Sequence, residues 1–203
     1  SDLSINNIKR IIMAATIYWA DNYVERQRTA KEAMQRIKPG QRIFIGSSCG
    51  EPQHLIKALS EASVKLSDLE IIRLLALEST PLTLVANKSL NQSMNIRSFY
   101  LGSAKARKLA ENMRFITPMN LADIPRLFKS RRLPIHVALI QTTPPDDFGW
   151  MSLGVSVDIT LAAALSADIV IAQTNSKMPR VFGQSFINVN DVDVIVEHDE
   201  DLL

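Results

Sequence analysis

The sequence predicts an α/β fold: a mainly parallel sheet with helices on both faces. Three observations lead there. Short apolar runs recur along the chain, helical patterns separate several of them, and 46% of the 203 residues are apolar against 22% charged, enough to bury a sizeable core. No internal repeat, low-complexity tract or Gly/Ser-rich linker divides the chain, so residues 1–203 read as one domain, with a helical lead-in over about 1–38 and an α/β body over 39–203.

Ile8, Ile11, Ile12, Ala15 and Trp19 recur at helical spacing and predict an amphipathic helix over residues 5–25. Thr29 and Glu32 form a capping box, and Ala30, Ala33, Met34 and Ile37 make a helical stripe that Pro39-Gly40 stops. Ile43 to Ile45 is a short apolar strand, Gly46 to Gly50 a small-residue loop, and Pro52 stands where a first helical turn favours it. Further strands are expected at Leu69 to Leu75, Leu82 to Ala86, Ser98 to Leu101, Phe115 to Thr117, Val137 to Gln141, Ile169 to Ala172 and Val194 to Val196. Helices are expected at Ala104 to Asn112, Leu121 to Phe128 and Val157 to Leu165.

The formal charge is only +2, which gives no reason to expect a nucleic-acid partner. The charge is unevenly spread: residues 189–203 carry six acidic and no basic side chains, so a basic excess lies upstream of an acidic tail. A single cysteine, Cys49, cannot form an internal disulfide, which fits a reducing cytoplasm. His54, His136 and His198 are scattered and give no zinc-ligand spacing, so no metal is expected. The apolar stretch near Ile159 to Ala172 is broken by Asp168 and is shorter than the roughly 20 residues a membrane span needs. No signal peptide is visible, and a first residue of Ser rather than Met leads us to expect a longer natural product.

In sheets of this kind ligands bind outside the carboxyl ends of strands, where loops lead into helix N-termini with free backbone N–H groups. Gly46-Ser47-Ser48-Cys49-Gly50 occupies such a place, and its glycines permit a tight exit from the strand and close approach by a carboxylate, thioester oxygen or phosphate. A tight turn with no ligand is the plainer alternative. The same residues spell G-x-S-x-G, so a serine hydrolase with Ser48 as nucleophile and Asp147 and His198 as partners is a second one. Against it, only helices precede this strand, whereas a nucleophile elbow normally follows several strands.

Pro144 to Trp150 is dense in turn formers and carries the Asp146-Asp147 pair, which either faces a ligand or is simply solvated; Trp150 and Met151 read as packing groups. Gln173 to Arg180 follows another strand end. Its Arg180 is the candidate for gripping an acid substrate, with a solvated arginine as the alternative. Lys129, Arg131 and Arg132 are adequately explained by a helix C-terminus, with phosphate binding as the lesser alternative.

Taken in order, five segments resemble the N-terminal half of the acetyl-CoA hydrolase/transferase family, which includes acetate and 4-hydroxybutyrate CoA-transferases. They are GQRIFIGSSCGEPQHLI (40–56), NIRSFYLG (95–102), ITPMNLADIPRLF (116–128), PIHVALIQTTPPDDFGWMSLGVSVDIT (134–160) and residues 169–203. The Cys49-Gly50-x-Pro52 core is also similar to the glycine loop of the wider class I CoA-transferase group. The resemblance implies that CoA moves between acyl-CoA thioesters and small carboxylic acids through a glutamyl-CoA intermediate. The family's catalytic glutamate, in a His-Thr-Glu type motif, belongs to a C-terminal half. No such motif occurs here, and Glu197 and Glu200 lack its context, so the resemblance implies no catalytic residue in 1–203 and inactivity of this part alone.

What the resemblance carries onto this chain is substrate contact by Gly46, Ser47, Ser48, Cys49 and Gly50, and more weakly by Asn175, Pro179 and Arg180. Coenzyme A enters as substrate, with no metal; the expected partners are acyl-CoA, small carboxylates, the C-terminal domain and further copies in a homo-oligomer. Ser47-Ser48 departs from the Gly-Phe-Gly of the ketoacid enzymes, which puts the shape of the acyl pocket in question. Likeness at 144–154 and 103–109 points to a subgroup with an added acetyltransferase-like domain. A non-catalytic acyl-CoA-binding module is the remaining alternative.

Overall fold

The computed structural model describes residues 18–62, 66–74, 95–100 and 114–203. The expected strand at Leu82 to Ala86, the helix at Ala104 to Asn112, the 103–109 segment and most of the first helix lie outside the described residues. Within them, helices α1 (Trp19–Arg26) and α2 (Ala30–Met34) precede β1 (Arg42–Ile45). Then come α3 (Gln53–Ala62), β2 (Glu70–Arg73), β3 (Asn95–Ser98), β4 (Arg114–Ile116), α4 (Ile124–Lys129) and β5 (Val137–Thr142). The order closes with β6 (Trp150–Ser152), α5 (Thr160–Ser166), β7 (Ile169–Thr174), β8 (Phe186–Asn188) and β9 (Val194–Glu197).

Seven strands form one sheet in the order β4-β3-β2-β1-β5-β7-β9, and every pairing in it is parallel. The chain runs outward from β1 through β2, β3 and β4 on one side, and returns through β5, β7 and β9 on the other. The strand order therefore reverses between β1 and β5, the point at whose carboxyl ends sheets of this kind form a ligand crevice.

Alternation along the strands divides the core into two layers. Ile43, Ile45, Ile71, Val137, Leu139, Ile171, Val194 and Val196 pack on one face with Leu55, Ile56 and Leu59 of α3 and Ala33 and Met34 of α2. Phe44, Ile72, Ala138, Ile140, Val170, Ala172 and Ile195 pack on the other with Ile124 and Phe128 of α4 and Ala163 and Ala164 of α5. The capping box at α2 forms as the sequence predicts: Thr29 Oγ1 accepts from Glu32 N at 3.2 Å, and Thr29 N donates to Glu32 Oε2 at 2.8 Å.

Two features depart from the expected pattern. The strand placed at Ser98 to Leu101 runs instead over Asn95–Ser98, because Ile96 and Ser98 point inward while Asn95 and Arg97 take the other face beside polar neighbours. The sequence reading also lacks the antiparallel ribbon of β6 and β8, in which Trp150, Met151 and Ser152 oppose Asn188, Ile187 and Phe186. Each strand has three residues, too few for a periodic signal, and the two are far apart in sequence.

At the amino ends of the strands Glu70 accepts from Arg42 Nε at 2.5 Å and from Arg97 Nε at 2.7 Å. Burial pushes the Glu70 carboxyl up, but the two arginines outweigh it and hold the group below its ordinary value of 4.5. A depressed folded-state value means that this stabilisation is present above about pH 4.5 and is lost as pH falls through the folded value. Glu70→Gln is expected to flatten the loss of stability on acidification below pH 4.5, measured by urea unfolding across pH 2–6. An unchanged pH profile would show that the two ion pairs do not contribute.

Candidate functional site

The loop that leaves β1 stands at the strand-order reversal. Gly46 N still donates to Leu139 O of β5 at 2.9 Å; then Ser48–Gly50 make a single 3-10 turn closed by Gly50 N to Ser47 O at 3.0 Å and Glu51 N to Ser48 O at 3.2 Å. Ser48 takes a positive φ of 50°, a conformation costly for a residue with a Cβ. Gly50 lies against the 153–158 segment so closely that a Cβ there would sit 2.6 Å from Ser156 Cβ. No side chain larger than hydrogen fits without movement.

Two of the loop's carbonyl oxygens, Ser47 O and Ser48 O, accept within the turn, while three of its donors are left over. The N–H groups of Ser47, Ser48 and Cys49 meet no acceptor among the described residues. Ser47 is 1% exposed, and its buried Oγ likewise finds no hydrogen-bond partner among them. An unpaired buried polar group is costly, and the Ser47 hydroxyl is one that an acceptor or donor reaching this turn would satisfy. Ser48 and Cys49 remain partly exposed, so the loop is open on one side.

The helix that follows is capped from the far end of the chain. Gln53 N, in the first turn of α3, donates to Glu200 Oε1 at 2.9 Å, and Leu55 N donates to Gln173 Oε1 at 3.3 Å. The acidic tail is thus no freely solvated run. It folds back as a strap along the carboxyl ends of the strands, with Asp199 accepting from Ser176 N at 2.6 Å and Asp201 pairing with Lys177 at 2.7 Å. At its start Tyr23 Oη donates to Glu197 Oε1 at 2.7 Å, and burial together with Glu197 pushes the phenol up to about 12.

The structure does not assemble the hydrolase triad. The His198 ring stacks on His54 with centroids 3.8 Å apart, Asp147 is exposed, and the Ser48 side chain has no hydrogen-bond partner among the described residues. A Ser48 nucleophile would need a base within hydrogen-bond reach, and none is present there. Asn175 is wholly buried, donating to Gln141 Oε1 at 2.7 Å and to Glu200 O at 2.8 Å.

Arg180, read from sequence as free to grip a substrate carboxylate, is already engaged within the chain. It pairs with Asp146, donates to Trp150 O at 3.1 Å and lies 4.7 Å over the Phe186 ring. Its charge ties the 144–150 turn to the β6–β8 ribbon. Burial pushes the Asp146 carboxyl up, but the amides of Trp150 and Phe148 and the Arg180 guanidinium more than offset it and hold the group below the usual carboxylate range. Pro179 is exposed beside it, so of the sequence candidates only Gly46 to Gly50 lie together at the crevice. No group of three or more His, Cys, Asp or Glu suited to a metal occurs among the described residues.

A family model described as the acetyl-CoA hydrolase/transferase N-terminal domain matches residues 12–203. The chain belongs to this family. A 4-hydroxybutyrate coenzyme A transferase of Clostridium kluyveri is 36% identical over 185 residues, which are 91% of this chain and 42% of that protein. A succinyl-CoA:acetate/propanoyl-CoA:succinate CoA transferase of Fasciola hepatica is 30% identical, over 87% of this chain and 35% of its own length. Among solved structures, RipA from Yersinia pestis superposes with a TM-score of 0.83 at 27% identity, over 92% of this chain and 45% of RipA. The chain therefore spans less than half the length of these relatives.

For an acetyl-CoA hydrolase/transferase N-terminal domain, the site signals that sequence reasoning missed are the polar residues ending otherwise apolar strands: Gln141 and Thr142 on β5, Gln173 and Thr174 on β7. All four are buried. In a strand covered on both faces such residues need partners: Gln141 finds Glu51 O just after the loop, Gln173 finds Glu200 of the strap, Thr142 meets Met151 and Thr174 meets Tyr23.

Proposed function

We propose that residues 1–203 form the substrate-cradling half of a CoA-transferase that moves CoA between acyl-CoA thioesters and small carboxylic acids. The observation that carries this reading is the set of unpaired donors at Ser47, Ser48 and Cys49, with the buried Ser47 hydroxyl beside them, at the reversal point of a parallel sheet. When a carboxylate attacks a thioester, negative charge grows on the carbonyl oxygen. Fixed N–H groups in a crevice shielded from water stabilise that charge without having to reorganise. Nothing on the loop is placed to attack: Ser48 lacks a base, and the carboxylates described nearby are committed to capping and pairing. On this reading, and as the family resemblance implies, the attacking carboxylate is supplied from outside residues 1–203.

The Clostridium kluyveri and Fasciola hepatica relatives support this reading, since both are named as CoA transferases. The test uses the 203-residue chain with acetyl-CoA and butyrate, following free thiol and acyl exchange, with calorimetric binding of acetyl-CoA measured in parallel. Binding without thiol release or exchange is expected. Turnover by this chain alone would overturn the placement of the carboxylate outside it, and absence of any binding would overturn the cradle.

A further inference from the structure

The carboxyl ends of β5 and β7 carry a hydrogen-bond relay that the proposed chemistry does not use. Gln141 Nε2 donates to Glu51 O at 3.0 Å, and Gln141 Oε1 accepts from Asn175 Nδ2 at 2.7 Å. Asn175 Nδ2 also donates to Glu200 O at 2.8 Å, while its Oδ1 accepts from Lys177 N at 3.0 Å. Gln173 Nε2 donates to Glu200 Oε1 at 2.6 Å, and the same oxygen caps Gln53 N. Gln141, Gln173 and Asn175 are 2%, 0% and 0% exposed, and the Glu200 side chain 16%.

The direction of the relay is set by its ends. Glu51 O can only accept and Gln53 N can only donate, so each buried amide has one orientation that satisfies it. A rotated Gln141 would set its NH2 against that of Asn175 and its oxygen against Glu51 O, a costly arrangement in a buried site. With Glu51 O held by Gln141, Ser47 O by Gly50 N and Ser48 O by Glu51 N, three carbonyls around the turn are engaged. The N–H groups of Ser47 to Cys49 are what remains without an acceptor among the described residues. The charged member is Glu200, whose carboxylate sits at the N-terminus of the ten-residue helix α3, where helix dipole and free N–H groups both favour an anion.

We infer that Gln141, Asn175 and Glu200 are positioning residues: they hold the Gly46–Gly50 loop in its donor-presenting conformation and couple it to the docking of the acidic strap. The residues nearest the reacting oxygen are thereby set by residues about 90 and 150 positions later. The inference rests on the reading of the loop as the ligand cradle, and it deepens that reading by naming what preorganises it.

The experiment compares Glu200→Ala, Glu200→Gln and Gln141→Ala in the 203-residue chain by amide hydrogen exchange and by calorimetric binding of acetyl-CoA. Glu200→Ala and Gln141→Ala are expected to speed exchange at Gly50 and Glu51 by roughly tenfold or more, with β2 and β3 unchanged, as local rather than global opening requires. Acetyl-CoA affinity should fall by a similar factor. Glu200→Gln keeps an oxygen able to accept from Gln53 and Gln173, and is expected to restore both readouts. Wild-type exchange in the loop of Glu200→Ala, or a uniform increase across all strands, would overturn the inference. If the unmodified chain does not bind acetyl-CoA the cradle reading fails, and the exchange pattern still decides the positioning role.

Discussion

Gly50→Ala is expected to unfold at a lower urea midpoint, with a loss of about 1–3 kcal/mol for overpacking, and to bind acetyl-CoA at least tenfold more weakly, a change of about 1.4 kcal/mol. The cause is geometric. A Cβ on residue 50 would lie 2.6 Å from Ser156 Cβ, and Ser156 is held in turn by its Oγ donating to Asp158 Oδ2 at 2.7 Å. Neither contact ends in a flexible side chain that can swing away. Relief must come from the 47–51 turn itself, which moves the donors of Ser47 to Cys49. Calorimetry and urea unfolding on the same variant separate the two effects. Wild-type affinity in a stably folded Gly50→Ala chain would show that the turn's close packing is not what shapes the cradle.

Phe128→Ala is expected to be the most destabilising single truncation, at about 3–5 kcal/mol, because it removes a fully buried ring and leaves a cavity that rigid neighbours cannot fill. Phe128 is 0% exposed and meets Phe44 and Phe99 edge-on, with centroids 6.1 Å and 6.3 Å away. The cluster fastens α4 to β1 and to the residue after β3, on the face opposite α3. The loss should appear as a lower urea midpoint with little change in the slope of the transition. A loss under about 1 kcal/mol would mean that α4 collapses onto the sheet and fills the space.

Most of the architecture was legible because it is local. Thr29 and Glu32 are three residues apart, so their capping box is written in adjacent positions, and the structure forms it. Strands β5 and β7 are runs of apolar residues because both faces of a parallel sheet are covered, and the structure places them side by side, each flanked by a further strand. The Gly46–Gly50 loop could be singled out by composition and by its position between a strand and a helix.

Arg180 and Glu200 show where that kind of reading stops. From sequence, the arginine was a candidate for gripping an acid substrate, with a solvated arginine as the alternative, and the glutamate was one member of an acidic tail with no assigned role. The structure reverses their situations. Arg180 is neutralised by Asp146, 34 residues away, and Glu200 reaches the first turn of a helix 147 residues earlier. Charge type is a property of the residue, but whether a charge is free is a property of its neighbours.

The sequence by itself determined the layered α/β class, the capping of α2 and the glycine loop, since hydrophobic period, cap residues and turn residues act over a few positions. Only the tertiary structure decided that the loop presents donors without acceptors, and that buried amides and the acidic strap hold it so. Hydrogen bonding in a buried site must be satisfied among whichever groups the fold brings within about 3 Å, and folding selects those partners without regard to separation along the chain.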